Sequence, residues 1–226
     1  MVWRRLMFAL AAALFNALPA AAAGARERCL AESEIDVDMR ISACNALLEI
    51  SDIAEDEQGA AFANRAAAYL AKQNYGLALD DYDSAMATRP NDADVLRGRC
   101  RARAVLKRDL ELALADCNRA LEIQPNEARV LGSRALVYLR LALDETAIAD
   151  YSAALEVQPK NSEYLFGRGQ AKLRSGDAEG AKADIAAARA IDAKIAEKFA
   201  NLEHDESAWS WAALLDYWRA VMKALY

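Results

Sequence analysis

Between Gly59 and Ala193 the apolar positions follow two nested periods. Locally they return every three or four residues, as one face of an α-helix requires. On a longer scale the whole pattern returns: Tyr82, Cys117, Tyr151 and Ile185 stand 35, 34 and 34 residues apart, and the sets Ala78, Ala113, Ala147, Ala181 and Ala85, Ala120, Ala154, Ala188 keep that spacing. Pro90, Pro125 and Pro159 close three of the copies, and Ala193 stands where a fourth proline would fall. Helical pieces recurring at this period predict stacked helix hairpins. Nowhere does hydrophobicity alternate with period two, so the expected fold class is all-α.

The clearest copy runs from Glu127 to Pro159. Ala135 on its first helix and Ala147 and Ala154 on its second carry almost no side chain, which lets two antiparallel helices approach closely. Leu131, Tyr138, Ile148, Tyr151 and Leu155 fill the flanks. One hairpin cannot bury that apolar face alone, so each must stack on the next. Asp144 is placed to cap the second helix, and Pro159, which lacks an N–H, to end it.

The order aromatic or Leu, small, Tyr, then Ala, aromatic, Ala, Pro resembles the pattern of tetratricopeptide repeats (TPRs), here of an exported bacterial type. The resemblance covers Gly59 to about Ala193, in units 59–91, 92–126, 127–160 and 161–193. The second unit matches least well: it carries an extra residue near Lys107 and Arg108, and has Cys100 and Cys117 where small and aromatic residues are usual. The resemblance implies a right-handed superhelical solenoid with a concave groove that holds a peptide or protein, and no catalytic chemistry. ACNALLEI around Cys44 echoes DCNRALEI around Cys117, so residues 26–58 are expected to form a degenerate half repeat capping the stack. The Lys/Asn set with which some TPR proteins clamp a chaperone's terminal carboxylates is not matched, since Ala63 and Ala67 occupy two of its places.

The two ends differ in character. Residues 1–25 give Arg4 and Arg5, an apolar run from Leu6 to Leu18, and an alanine tract with A-x-A choices ending at Ala23 or Ala25, the form of a cleaved secretory signal. The competing reading, a membrane-tethered envelope assembly factor, needs the alanine tract to extend the apolar run to about 20 residues. Past the fourth unit, 194–226 are expected to be C-terminal capping helices. Ala190–Leu202 keeps helical spacing, and Trp211, Leu214, Leu215, Trp218, Val221, Met222 and Leu225 lie on one face of a final helix, whose alternative role is to dock a partner.

Export gives the cysteines a setting in which disulfides persist. Cys29 and Cys44, and Cys100 and Cys117, form two local pairs, expected as structural disulfides. A thiol or redox protein is the minor alternative. Metal binding is disfavoured, because no C-x-x-C is present and His204 is the sole histidine. No nucleophile elbow, zinc motif or phosphate loop appears, so no catalytic residue, cofactor, metal or small-molecule substrate is expected.

Charge locates the remaining candidates. With the first 25 residues removed, 26 basic residues face 34 acidic ones, a net charge of −8 that argues against nucleic acid. Membrane contact is expected only if the N-terminal segment is retained. Arg65, Arg99, Arg134 and Arg168 recur on the first helices and Asp81, Asp116, Asp150 and Asp184 on the second, each series in steps of 34 or 35. Guanidinium forks suit carboxylates, so these eight are expected to form a structural ion-pair ladder. Over 59–73, 91–107, 126–141 and 160–175 there are 14 Lys or Arg against 4 Asp or Glu; over 75–89, 109–122, 144–156 and 177–190 there are 4 against 14. If first helices line the groove, Arg97, Arg101, Arg140 and Arg174, beside Leu136, Leu139, Phe166, Gln170 and Leu173, are the candidate partner surface. The expected partner is an acidic, partly apolar protein segment.

Overall fold

A computed structural model describes residues 23–31 and 35–203, with side chains as far as Ala200. The signal-like residues 1–22, His204 and the aromatic C-terminal stretch lie outside the described residues.

Residues 23–30 are helical. They are followed by α1 (Val37–Leu48), α2 (Glu55–Ala71), α3 (Tyr75–Ala85), α4 (Ala93–Leu106), α5 (Leu110–Ile123), α6 (Ala128–Arg140), α7 (Asp144–Val157), α8 (Ser162–Ser175), α9 (Ala178–Ile191) and α10 (Ile195–Glu203). Every regular element among the described residues is a helix, as the all-α pattern requires. None is long and apolar enough to cross a membrane. The chain divides into two compact units, one ending at Arg99 and the other starting at Cys100, within α4.

In the first unit, Cys29, Ala43, Cys44, Leu47 and Ala61 form one core cluster, with Leu30, Leu48, Ile50 and Ile53 packed around it. The helical residues 23–30 thus pair with α1 as a short hairpin, and Arg26 reaches Glu57 on α2 at 2.7 Å. Asp36 starts α1 by accepting the Met39 amide at 3.0 Å. A second cluster joins α2 and α3 through Ala66, Ala78, Tyr82 and Ala85, with Val95 from α4.

In the second unit Ala113, Ala120, Ala135, Ala147, Ala154, Ala181 and Ala188 are wholly inaccessible. These are the positions at which the 34-residue period places a small side chain, and larger residues there would force the paired helices apart. Asn161 caps α8 by accepting the Glu163 and Tyr164 amides, and Asp177 caps α9 at the Gly180 amide. Asp144 does something else. It is the first residue of α7, behind Leu143, and its carboxylate receives the Arg174 guanidinium from α8.

Two further departures are local. The hairpin turns after α2, α6 and α8 each hold one residue at positive φ, Gln73, Ala142 and Gly176, whereas the turn after α4 holds two, Lys107 and Asp109. That turn absorbs the extra residue. The run Ala190–Leu202 is not one helix: α9 stops with Asp192 in an extended conformation, and the Asp192 carboxylate accepts the Lys194 amide to open the turn into α10. The helix ends here without a proline.

Candidate interaction surface

The ladder arginines each join two hairpins. Arg65 donates to both carboxylate oxygens of Asp81 at 2.7 Å and, through its other arm, to Asn45 Oδ1 at 2.6 Å. Arg134 holds Asp150 at 2.6 and 2.9 Å and Asn118 at 2.9 Å. Arg168 holds Asp184 at 2.7 Å and the Ser152 hydroxyl at 3.2 Å. The two-pronged geometry suits a guanidinium facing a carboxylate. Tyr rings add to it: Arg65 lies 5.9 Å from the Tyr69 centroid and Arg134 5.8 Å from that of Tyr138.

The second repeat carries a further arginine. Arg103, one turn beyond Arg99, donates to Asp116 at 2.7 Å, as Lys172 one turn beyond Arg168 does to Asp184, and both Arg103 and Asp116 are buried. Arg99 reaches back to Asp83 at 3.1 Å. Asn45, Asp83, Asn118 and Ser152 are the partners that sequence reasoning missed. Their signal was present: each directly follows Cys44, Tyr82, Cys117 or Tyr151.

Electrostatics follow from these contacts. The hydrogen bond that Arg65 donates to Asp81 leads the causes that hold Arg65 protonated more firmly than usual, and the one to Asp150 does the same for Arg134. Burial alone would raise the Asp184 pKa, but hydrogen bonds from Arg168 and Lys172 outweigh it and the carboxyl sits below its ordinary 3.8. Burial pushes the Tyr82 hydroxyl up to about 12, against the opposing charge of Arg97.

Both cysteine pairs are joined. Cys29 and Cys44 have Cα atoms 4.8 Å apart, Cys100 and Cys117 5.6 Å, and all four are inaccessible to solvent. Each bond links the first and second helix of one hairpin. Among the described residues no group of His, Cys, Asp or Glu is arranged to hold a metal ion.

The nine candidate groove residues divide into three groups. Leu136, Leu139, Phe166 and Gln170 are buried, and Leu173 is half-buried. Arg101, Arg174 and Arg97 engage carboxylates of this chain: Arg101 donates to Glu163 at 2.7 Å, Arg174 binds Asp144 and the Leu139 carbonyl, and Arg97 lies 3.3 Å from Asp94 one turn away. Arg140 is half-buried and, with Arg101, acts on the Tyr151 hydroxyl, whose pKa burial pushes up. In the second unit the candidate residues therefore do not form an open apolar trough. They lie on a closed face on which Arg101 and Arg174 already hold carboxylates. The Arg101–Glu163 pair spans 62 residues, from α4 to α8, and no local sequence pattern announces it.

Comparison with known proteins agrees with the hairpin geometry. Residues 128–161 match the tetratricopeptide-repeat family model. No curated protein matches the chain. Among solved structures, a thermophilic TPR protein of Thermus thermophilus is similar with a TM-score of 0.56 at 20% identity, over 74% of this chain and 90% of that one. A tetratricopeptide repeat protein of Parabacteroides merdae gives 0.54 at 20% identity, over 83% and 70%. MamA of RS-1, as a double mutant, gives 0.58 at 17%, over 76% and 93%. At these identities the shared property is the fold. One tetratricopeptide repeat is thus recognised directly at 128–161, and the chain shares the fold of tetratricopeptide-repeat proteins.

Proposed function

We propose that this protein is a non-catalytic interaction scaffold of an oxidising, extracytoplasmic compartment, which takes an acidic, partly apolar segment of a partner protein against its first helices. The observation that carries the reading is the pairing of Arg101 with Glu163 and of Arg174 with Asp144, guanidinium groups on first helices that select carboxylates. The excess of basic over acidic residues on those helices, 14 to 4, supplies the matching field. Two buried disulfides support the compartment.

The test is capture of partners from an envelope extract by the full chain and by an Arg101→Glu, Arg140→Glu double variant, with circular dichroism to verify that both are folded. Loss of the captured protein from the folded double variant is the expected outcome. Capture that survives the double reversal unchanged would contradict the reading.

A further inference from the structure

The face that carries Arg101 is closed by the chain itself. The Phe199 ring of α10 packs on Phe166 of α8, centroids 4.8 Å apart. Phe199 also borders, with Arg101, Leu136, Glu163 and Tyr164, a residual cavity of about 10 Å³, room for no more than a water. An end cap needs only to cover the last hairpin, yet Phe199 shares this cavity with a residue of α4, and Glu163 beside it supplies the carboxylate that Arg101 binds. Among the described side chains of α10, Ile195 and Phe199 are buried, Glu197 and Lys198 are exposed, and the Lys198 ion pair goes to Asp192 just before the helix.

We infer that α10 is a built-in occupant of the interaction face: Phe199 fills the place of an aromatic side chain of the partner beside the Arg101–Glu163 pair, and a partner segment carrying such a side chain enters by displacing α10. The inference rests on the scaffold function proposed above and adds the partner's chemistry and the means of its control. A tethered occupant competes at an effective concentration of about a millimolar, so it sets a threshold that a weak ligand does not cross.

The experiment uses a labelled synthetic peptide with the sequence of residues 192–203, DAKIAEKFANLE, and follows fluorescence anisotropy with the full-length chain. The expected result is at least about tenfold tighter binding to Phe199→Ala than to wild type. Adding Phe166→Ala to that variant should abolish binding. Equal binding to wild type and Phe199→Ala, or none to either up to millimolar peptide, would overturn the inference, as would global unfolding of Phe199→Ala. Hydrogen exchange on the wild type gives an independent check: α10 amides should exchange at least about tenfold faster than those of α8, and equal protection would show α10 to be an integral cap. Partner capture that fails on Arg101→Glu, Arg140→Glu but is unaltered by Phe199→Ala would leave the scaffold function standing and remove the occupant.

Discussion

At the scale of single residues, the fit between repeats rests on an aromatic ring meeting a missing side chain. Tyr82 and Tyr151 are buried with their ring tips against Gly98 and Gly167, and a Cβ on Gly167 would come within 2.5 Å of the Tyr151 ring. Both tyrosines precede their glycine by 16 residues, and the corresponding positions between them hold Cys117 and Ser133. Glycine costs a helix up to about 1 kcal/mol relative to alanine, and at Gly98 and Gly167 the close approach of the ring is the steric reason for it. Gly167→Ala should therefore destabilise by about 1–3 kcal/mol through overpacking, whereas Gly76→Ala, with open space around its position, should be neutral or slightly stabilising; urea unfolding of the two variants measures both.

Asp184 supplies a second residue-scale expectation. Its folded-state pKa lies below the ordinary 3.8, so its contribution is present above that value and is lost as the pH falls through the depressed folded pKa. Asp184→Asn should accordingly be less stable than wild type at neutral pH, and the gap should narrow in acid. A gap independent of pH between about 2 and 6 would show that the Arg168–Lys172–Asp184 cluster does not act through ionisation.

At the scale of elements, each helix was visible because its packing demands recur. Small residues at Ala78, Ala113, Ala147 and Ala181 must return wherever two helices touch, so the period could be read without a structure. The eight ladder residues were visible for the same reason, and Arg65–Asp81, Arg134–Asp150 and Arg168–Asp184 pair as that spacing suggests. Arg103–Asp116 and Arg99–Asp83 are pairs that the period alone did not announce. Arg101–Glu163 and Phe199–Phe166 were not legible at all, since they depend on how successive hairpins stack and the local pattern does not encode that. The break at Asp192 was missed because helical spacing continues through it, while the signal for the turn into α10 is a single residue, the Asp192 carboxylate that accepts the Lys194 amide.

The disulfides act on elements too. Each closes a loop within one hairpin, over separations of 15 and 17 residues. Loops of this size contribute about 3 kcal/mol by restricting the unfolded chain. Replacing Cys100 and Cys117 by serine should lower stability by about 2–4 kcal/mol and lower the unfolding midpoint in urea. Tryptic mapping without reduction checks the connectivity: a peptide joining Cys29 to Cys100, or four alkylatable thiols in the native protein, would contradict it.

At the scale of the whole molecule, an acidic chain carries its positive charge on one class of helix. A net charge of −6 over the full sequence coexists with first helices that are strongly basic, because the second helices hold the compensating carboxylates. Part of that basicity is consumed internally, by Asp81, Asp150 and Asp184. Arg101 and Arg174 are directed at Glu163 and Asp144, which in the proposed function stand where an acidic segment of another protein would bind. Such a segment would be drawn in by long-range attraction, and salt would screen that attraction before it affected packed contacts. The most direct test is the association rate of the captured partner, measured by surface plasmon resonance as salt is raised from about 50 to about 500 mM. The expected association rate falls several-fold while dissociation changes little. An association rate that stays constant across that range would contradict the claim that this face recruits its partner through carboxylates.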